Sequence, residues 1–340
     1  MMQEKILFGT YTKRVSEGVY EAILDTTQEK LVDAQLIATV GNPTYLTTSK
    51  ANRLYAVDKH DGQGGLFVFD NTQRPAKKVA EHLIDSSPAY VAVDEQRQLV
   101  YAGYYHAGLT EVLKIDGANL VLTDQVKNEG SGPRPEQGSA HVHFTGLTPD
   151  QRLVVVDLGT DKVDIYDVSA AGKLSLVSTY QAEAGFGPRH IRFSPDGQYA
   201  YLLGELSSQL SVLKYDATTG SLTHLQTTTT IPNNWTEHNG AAAIRVTNDG
   251  QYIYTSNRGN NSIAVFKTSD AGAHIELIQL IASEGDFPRD FALNSDETFV
   301  VVANQNTDNV SLFKRDAQAG TLSLIQKDFL IPEGVRVHFE

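Results

Sequence analysis

In "GPRHIRFSPDGQYAYLLGE", residues 187–205, an arginine and a histidine open one apolar run and a glutamate closes the next. A guanidinium forks onto oxyanions, an imidazole moves protons near neutral pH, and a carboxylate activates water. Arg189, His190 and Glu205 can act together only if the chain brings the two ends of this stretch to one place. Its centre, Ser194–Gly197, reads Ser-Pro-Asp-Gly, which is turn chemistry, and a hairpin folded there reunites them.

The same unit recurs. A small turn, an apolar run, a polar tip and a second apolar run appear in "SKANRLYAVDKHDGQGGLFVF", "TNDGQYIYTSNRGNNSIAVFKTS" and "NSDETFVVVANQNTDNVSLFKRD". The middles of the first runs, Phe8, Tyr55, Tyr101, Val155, Tyr201, Tyr254 and Val301, lie 46–54 residues apart. At a mean of about 49, seven units fill the chain. Alternation and β-branched enrichment mark each unit as strands, further strands follow each pair, and no stretch has a strong helical period. The expectation is an all-β, seven-bladed β-propeller of four-stranded antiparallel blades, one domain over residues 1–340. "KILFGTY" starts as the second strand of a blade, and "GVRVHF" is a first strand with nothing after it. The C-terminal strand is therefore expected to close the first blade and remove an exposed edge.

In an up-and-down blade, the loop leading into the innermost strand and the loop between the second and third strands share one face. That face collects Tyr45, Tyr90, His143, His190, Ala243 and Asp290 at strand starts, with Thr44, Ala89, Val142, Arg189, Ala242 and Arg289 one position earlier. It also collects Thr12, Lys59, Tyr105, Gly159, Glu205, Arg258 and Gln305 at strand ends. These positions vary in chemistry while the strands around them repeat, as expected of a scaffold carrying a site.

Composition narrows the function classes. The chain has 340 residues, 41% apolar and 20% charged, with a net charge of −13. It lacks the basic footprint of a nucleic-acid binder. No apolar run is long enough for a bilayer, and the first residues lack a signal-peptide pattern. The absence of cysteine excludes disulfides, thiolate metal sites and a cysteine nucleophile, and it suits a reducing compartment. The expected location is cytoplasmic. No G-x-S-x-G elbow or Walker loop occurs, and "GQGGLF" and "GFGPRH" do not complete a dinucleotide fingerprint. His141 and His143 have metal-ligand spacing on one strand face, but no further His or Asp follows closely. Neither a cofactor nor a metal is expected, and the repeat pattern specifies no oligomeric state.

Together, "GTYTKRVSEGVY", "GNPTYL", "PAYVAVD", "HVHFTGLTPD", "VVDLGTDKVDIY", "GPRHIRFSPDGQYAYLLGEL", "IYTSNRGNNSIAVF" and "FPRDFALN" with "VVANQ" resemble the lactonase family of seven-bladed propellers. That family includes propeller-type 6-phosphogluconolactonase and the fungal carboxymuconate cyclase. The resemblance spans essentially the whole chain; a Pro-Asp-Gly turn alone is common to many propellers. It implies a site of one His, two Arg and one Glu. His143, six residues before Pro149, matches the first, and Arg189 in Gly-Phe-Gly-Pro-Arg-His matches the second. Glu205 after the next strand and Arg258 in Ser-Asn-Arg-Gly complete the set. Departures fall at Gly103, where many members carry Asn, and at Asp58-Lys59, where many carry Asn-Glu. The implied activity is cofactor-independent hydrolysis of a small anionic sugar lactone, foremost 6-phosphoglucono-δ-lactone in the pentose phosphate pathway. A muconate-type lactonising or delactonising enzyme is the second reading. A non-catalytic binding platform is the third, and the four intact polar positions weigh against it.

Opening a lactone needs an activated water and a stabilised oxyanion. Glu205 is the candidate general base, Arg189 and Arg258 the forked donors, and His143 a base or acid; the competing readings are a salt-bridged strand end for Glu205, inter-blade ion pairing for the two arginines and a hydrogen-bonded structural histidine for His143. Apolar flanks would raise the pKa of Glu205 and arginine neighbours would lower it. His190, Arg289, Gln305, His141 and Asp157 are the candidate substrate contacts, with turn-holding as the alternative for Asp157.

Overall fold

The second strand of each unit is apolar on both faces. Every position of Leu99–Tyr104 and Phe299–Asn304 is buried, which requires a neighbour on each side of the sheet. A radial stack of sheets supplies this. In the computed structural model, which describes residues 3–60 and 62–340, 28 strands form seven four-stranded sheets. The seven repeat midpoints, Phe8 to Val301, are all at most 1% exposed and lie in the layers between blades. Among the described residues the only helical pieces are the 3₁₀ turns Pro135–Gln137 and Asp270–Gly272. No helix among the described residues is long and apolar enough to cross a membrane.

Blades 2 to 7 run in chain order, with innermost strands Leu46–Thr48, Tyr90–Asp94, Val142–Leu147, Pro188–Phe193, Gly240–Val246 and Pro288–Leu293. Blade 1 closes the ring. Its innermost strand is the C-terminal Gly334–Phe339, paired antiparallel on Gln3–Thr10 with Phe8 opposite Val337. Hydroxyls pin neighbouring blades together. Tyr201 of blade 5 donates to the Gly272 carbonyl of blade 6 at 3.0 Å, and Tyr254 of blade 6 donates to the Gly320 carbonyl of blade 7 at 2.7 Å. Gly320 has φ +74°, and a Cβ there would fall 2.1 Å from the Tyr252 ring, so both the turn and the packing require glycine.

Blade 5 shows how the site face is assembled. Ser194 Oγ donates to Asp196 Oδ1 at 2.6 Å and accepts from the Tyr199 amide at 2.9 Å. With Gly197 at φ +71°, this makes the tight turn at the far end of the hairpin. At the near end Pro188 pairs with Gly204, and the Glu205 amide donates to the Gly187 carbonyl at 2.8 Å. The two polar ends therefore meet.

Ladder irregularities sharpen this picture. Register shifts fall between Pro188 and His190, between Pro288 and Asp290, and between Val142 and Phe144. Each leaves one residue out of the ladder: Arg189, Arg289 and His143. A bulge re-aims a side chain in this way. His143 therefore corresponds to Arg189 and Arg289, and Phe144 corresponds to His190; aligning His143 with His190 was one residue out. The hairpin pairs Asp157–Lys162 and Gly204–Gln209 make the same correction on the second strand. Leu158, not Gly159, occupies the place of Glu205 in blade 4.

Candidate active site

A cavity of about 590 Å³ opens at the channel mouth, on the face that holds the bulges. Its wall includes His143, Arg189, His190, Glu205, Arg258 and Arg289, so six of the nine candidate residues converge. They come from blades 4, 5, 6 and 7, which no local stretch of chain could bring together.

Glu205 is the centre of the group. Its Oε2 lies 2.8 Å from Arg189 Nε, and its Oε1 lies 2.9 Å from Arg258 Nη2. The carboxylate is 21% exposed, while the two guanidiniums are 4% and 7% exposed. The arginines are braced from behind. Arg189 Nη1 donates to the Ala242 carbonyl, Arg258 Nε donates to the Gly240 carbonyl at 3.1 Å, and the Arg258 guanidinium lies over the Phe287 ring. A carboxylate thus faces the cavity between two anchored forks.

Charge and burial compete at Glu205, and charge wins. Burial raises its pKa, but Arg258, Arg189 and the hydrogen bond from Arg258 bring it down to about 2. Glu205 is ionised throughout the neutral range and is weakly basic while both arginines hold it. Burial, then the neighbouring Arg258 guanidinium, lowers Arg189 to about 9, with Glu205 offsetting only part of this. His143 is held well below its ordinary 6.5 by burial and then by Arg189, so its ring is neutral at pH 7. Its Nδ1 is buried without a partner among the described residues.

His190 forms part of the floor. It is 3% exposed and packs edge-on against His143 at 5.2 Å and Tyr90 at 5.5 Å. Its Nε2 lies 3.3 Å from Arg189 Nη1, which can only donate, so Nε2 accepts. Burial and Arg189 keep this ring neutral as well. Asp290, which also lines the cavity, accepts from Arg245 and Arg336, each at 2.8 Å.

Three candidate contacts stand outside the cavity wall. Asp157 is fully buried and accepts from the amides of His141, Gly159 and Thr160 at 2.7, 2.9 and 3.3 Å, so it holds the loop together. His141 stacks flat on Tyr105 at 4.4 Å, and its Nδ1 lies 3.0 Å from the Tyr105 carbonyl. That stack is with a residue that lines the cavity, and His141 itself is set back from it. Gln305 Nε2 donates to Asn306 Oδ1 at 3.4 Å and its backbone carbonyl accepts from Arg14, while its side-chain Oε1 is buried without a partner among the described residues. Among the described residues, no three His, Cys, Asp or Glu side chains are placed to hold a metal ion.

The wall also contains residues that the repeat did not single out, among them Tyr11, Lys13, Asn42, His106 and Val335. Tyr11 and Lys13 flank Thr12, the position the repeat did indicate. The loop after Thr10 runs to Gly18 in blade 1, longer than its counterparts, and that length hides the equivalence.

The family model described as "Lactonase, 7-bladed beta-propeller" matches residues 5–339. The 6-phosphogluconolactonase of Bacillus subtilis (strain 168) is 38% identical over 338 residues, covering 97% of each chain. A protein of Lactobacillus plantarum with a crystal structure is 55% identical, superposes with a TM-score of 0.98 and is covered completely in both chains. The periplasmic gluconolactonase PpgL of Pseudomonas aeruginosa is 28% identical with a TM-score of 0.92, covering 99% of each chain. The chain belongs to the seven-bladed β-propeller lactonase family.

Proposed function

We propose that this protein hydrolyses 6-phosphoglucono-δ-lactone to 6-phosphogluconate at the cavity around Glu205. The observation that carries the reading is the Glu205 carboxylate held open to the cavity between Arg189 and Arg258, with His143 beside it. Family membership and the 38% identical 6-phosphogluconolactonase support the substrate class. The pathway assignment and a cytoplasmic location follow from that substrate.

The lactone carbonyl oxygen becomes an oxyanion as water adds to the carbonyl carbon. Arg189 and Arg258 are braced by backbone carbonyls, so their forks are oriented before substrate arrives. A carbonyl oxygen that draws the two guanidiniums toward itself loosens their hold on Glu205. The carboxylate then gains basicity and takes the proton from the attacking water. Neutral His143 accepts and passes on a proton, so the departing ring oxygen leaves as a hydroxyl. In this sequence one water is consumed, the acyl C–O bond breaks and the product is a hydroxy acid.

The test compares purified wild type, Arg189→Ala and Arg258→Ala on freshly made 6-phosphoglucono-δ-lactone, with the spontaneous rate subtracted. Each arginine variant is expected to lose about 100-fold or more in kcat, the scale for removing an oxyanion donor. Variants that keep the wild-type rate would overturn the roles given to the arginines.

A further inference from the structure

Among the described residues, five cationic side chains reach the cavity wall, and only Arg189 and Arg258 have a carboxylate partner there. Lys13, Lys59 and Arg289 make no ion pair among the described residues, in a chain of net charge −13. Carboxylates are plentiful in this sequence, yet none of the described ones is placed against these three. Unpaired like charges gathered at one rim repel, unless an anion occupies the space they face.

Their placement is built into the fold. Lys13 Nζ lies 4.1 Å from the centre of the Tyr11 ring, and the Arg289 guanidinium lies 5.5 Å from the same ring. The Tyr11 hydroxyl is pulled below its ordinary pKa, most strongly by Arg289, so several cations converge on it. Asn42 ties the two lysine loops together. Its amide donates to Thr12 Oγ1 at 3.0 Å, its Oδ1 accepts from the Thr12 amide at 3.3 Å, and its Nδ2 donates to the Lys59 carbonyl at 3.2 Å. These residues belong to blades 1, 2 and 7. Glu205, Arg189 and His143 belong to blades 4 and 5, across the ring.

We infer that Lys13, Lys59, Arg289 and Tyr11 form a phosphoryl-binding subsite that orients the substrate, with the dianion on blades 1, 2 and 7 and the acyl carbon toward Glu205. The subsite rests on the lactonase reading for what lies at its other end. A phosphoryl group carries nearly two charges and three acceptor oxygens, which match three separate cations and a phenol. A lone carboxylate is matched by a single arginine fork, and this rim offers more than that.

The test uses Lys13→Gln, Arg289→Gln, the Lys13→Gln/Lys59→Gln double variant, and Lys13→Arg as the charge-preserving control. Both lysines are exposed, so these changes leave the core untouched. Each protein is assayed on 6-phosphoglucono-δ-lactone and on glucono-δ-lactone, and calorimetry measures binding of 6-phosphogluconate and of gluconate. Each lost cation is expected to cost about 10-fold or more in kcat/KM on the phosphorylated lactone, chiefly through KM. The loss on the unphosphorylated lactone is expected to be much smaller, binding of 6-phosphogluconate to fall in parallel, and Lys13→Arg to restore most of it. Equal losses on the two lactones, or wild type binding 6-phosphogluconate no tighter than gluconate, would overturn the subsite. If wild type opens neither lactone yet binds 6-phosphogluconate in a Lys13-dependent way, the lactonase reading fails and the subsite stands.

Discussion

Replacing Glu205 by glutamine keeps the shape of the side chain and removes the charge that lies between Arg189 and Arg258. The carboxyl is held at about 2 against an ordinary 4.5, which corresponds to about 3 kcal/mol favouring the ionised form in the folded chain. At 21% exposure, screening by solvent trims this figure only in part. Arg189 is shifted mainly by its own burial and by Arg258, so the carboxylate's shift is the better measure of the attraction. For a chain of this length the unfolding entropy is about 0.7 kcal/mol per kelvin, so 3 kcal/mol is about 4 °C in Tm.

The sign with pH is fixed by linkage. A depressed folded pKa stabilises fully above the unfolded pKa, near 4.5, and the contribution is lost as pH falls through about 2. Of the 3 kcal/mol present at pH 7, about 1.4 remains at pH 3. Thermal unfolding of wild type and Glu205→Gln at pH 7 and at pH 3 reads this directly. The variant is expected to melt about 4 °C lower at pH 7, and the gap is expected to roughly halve at pH 3. Equal melting temperatures at pH 7, or a gap that stays constant into acid, would refute the clamped carboxylate.

Two further outcomes are expected. Because burial and Arg189 keep His143 neutral well below pH 6.5, the kcat/KM profile should show no inflection near 6.5 on its acid side. A clear limb at 6.5 that disappears in His143→Gln would contradict that environment. Asp157→Ala frees three buried or half-buried amides, at an expected cost of about 2–4 kcal/mol in denaturant unfolding. Its KM should change little, and a large rise in KM with unchanged stability would make Asp157 a substrate contact.

The propeller is legible in the chain because each blade repeats one physical problem. A strand buried on both faces needs an unbroken apolar run, and the runs around Tyr55, Tyr201 and Tyr254 announce themselves at regular spacing. The orphaned "GVRVHF" likewise foretells the closure on Gln3–Thr10. The bulges are not legible. A residue displaced from the ladder between Val142 and Phe144 leaves no mark on composition or period, so His143 aligns one place out until its register is seen. The site face is readable as a face, but which polar residues turn into the cavity depends on loop bonding. Asp157 carries suitable chemistry and spends it on its own loop, while the Gln305 side chain stands outside the cavity wall with its Nε2 toward Asn306. Tyr11 and Lys13 were hidden by a longer loop in blade 1.

In the proposed function the cavity around Glu205 accelerates the opening of a sugar lactone. The most direct measurement follows disappearance of freshly prepared 6-phosphoglucono-δ-lactone by NMR at neutral pH, with and without wild-type protein. The expected rate lies above the spontaneous one, rises in proportion to protein concentration and falls to near the blank with Arg189→Ala. A rate equal to the blank at every protein concentration would contradict it.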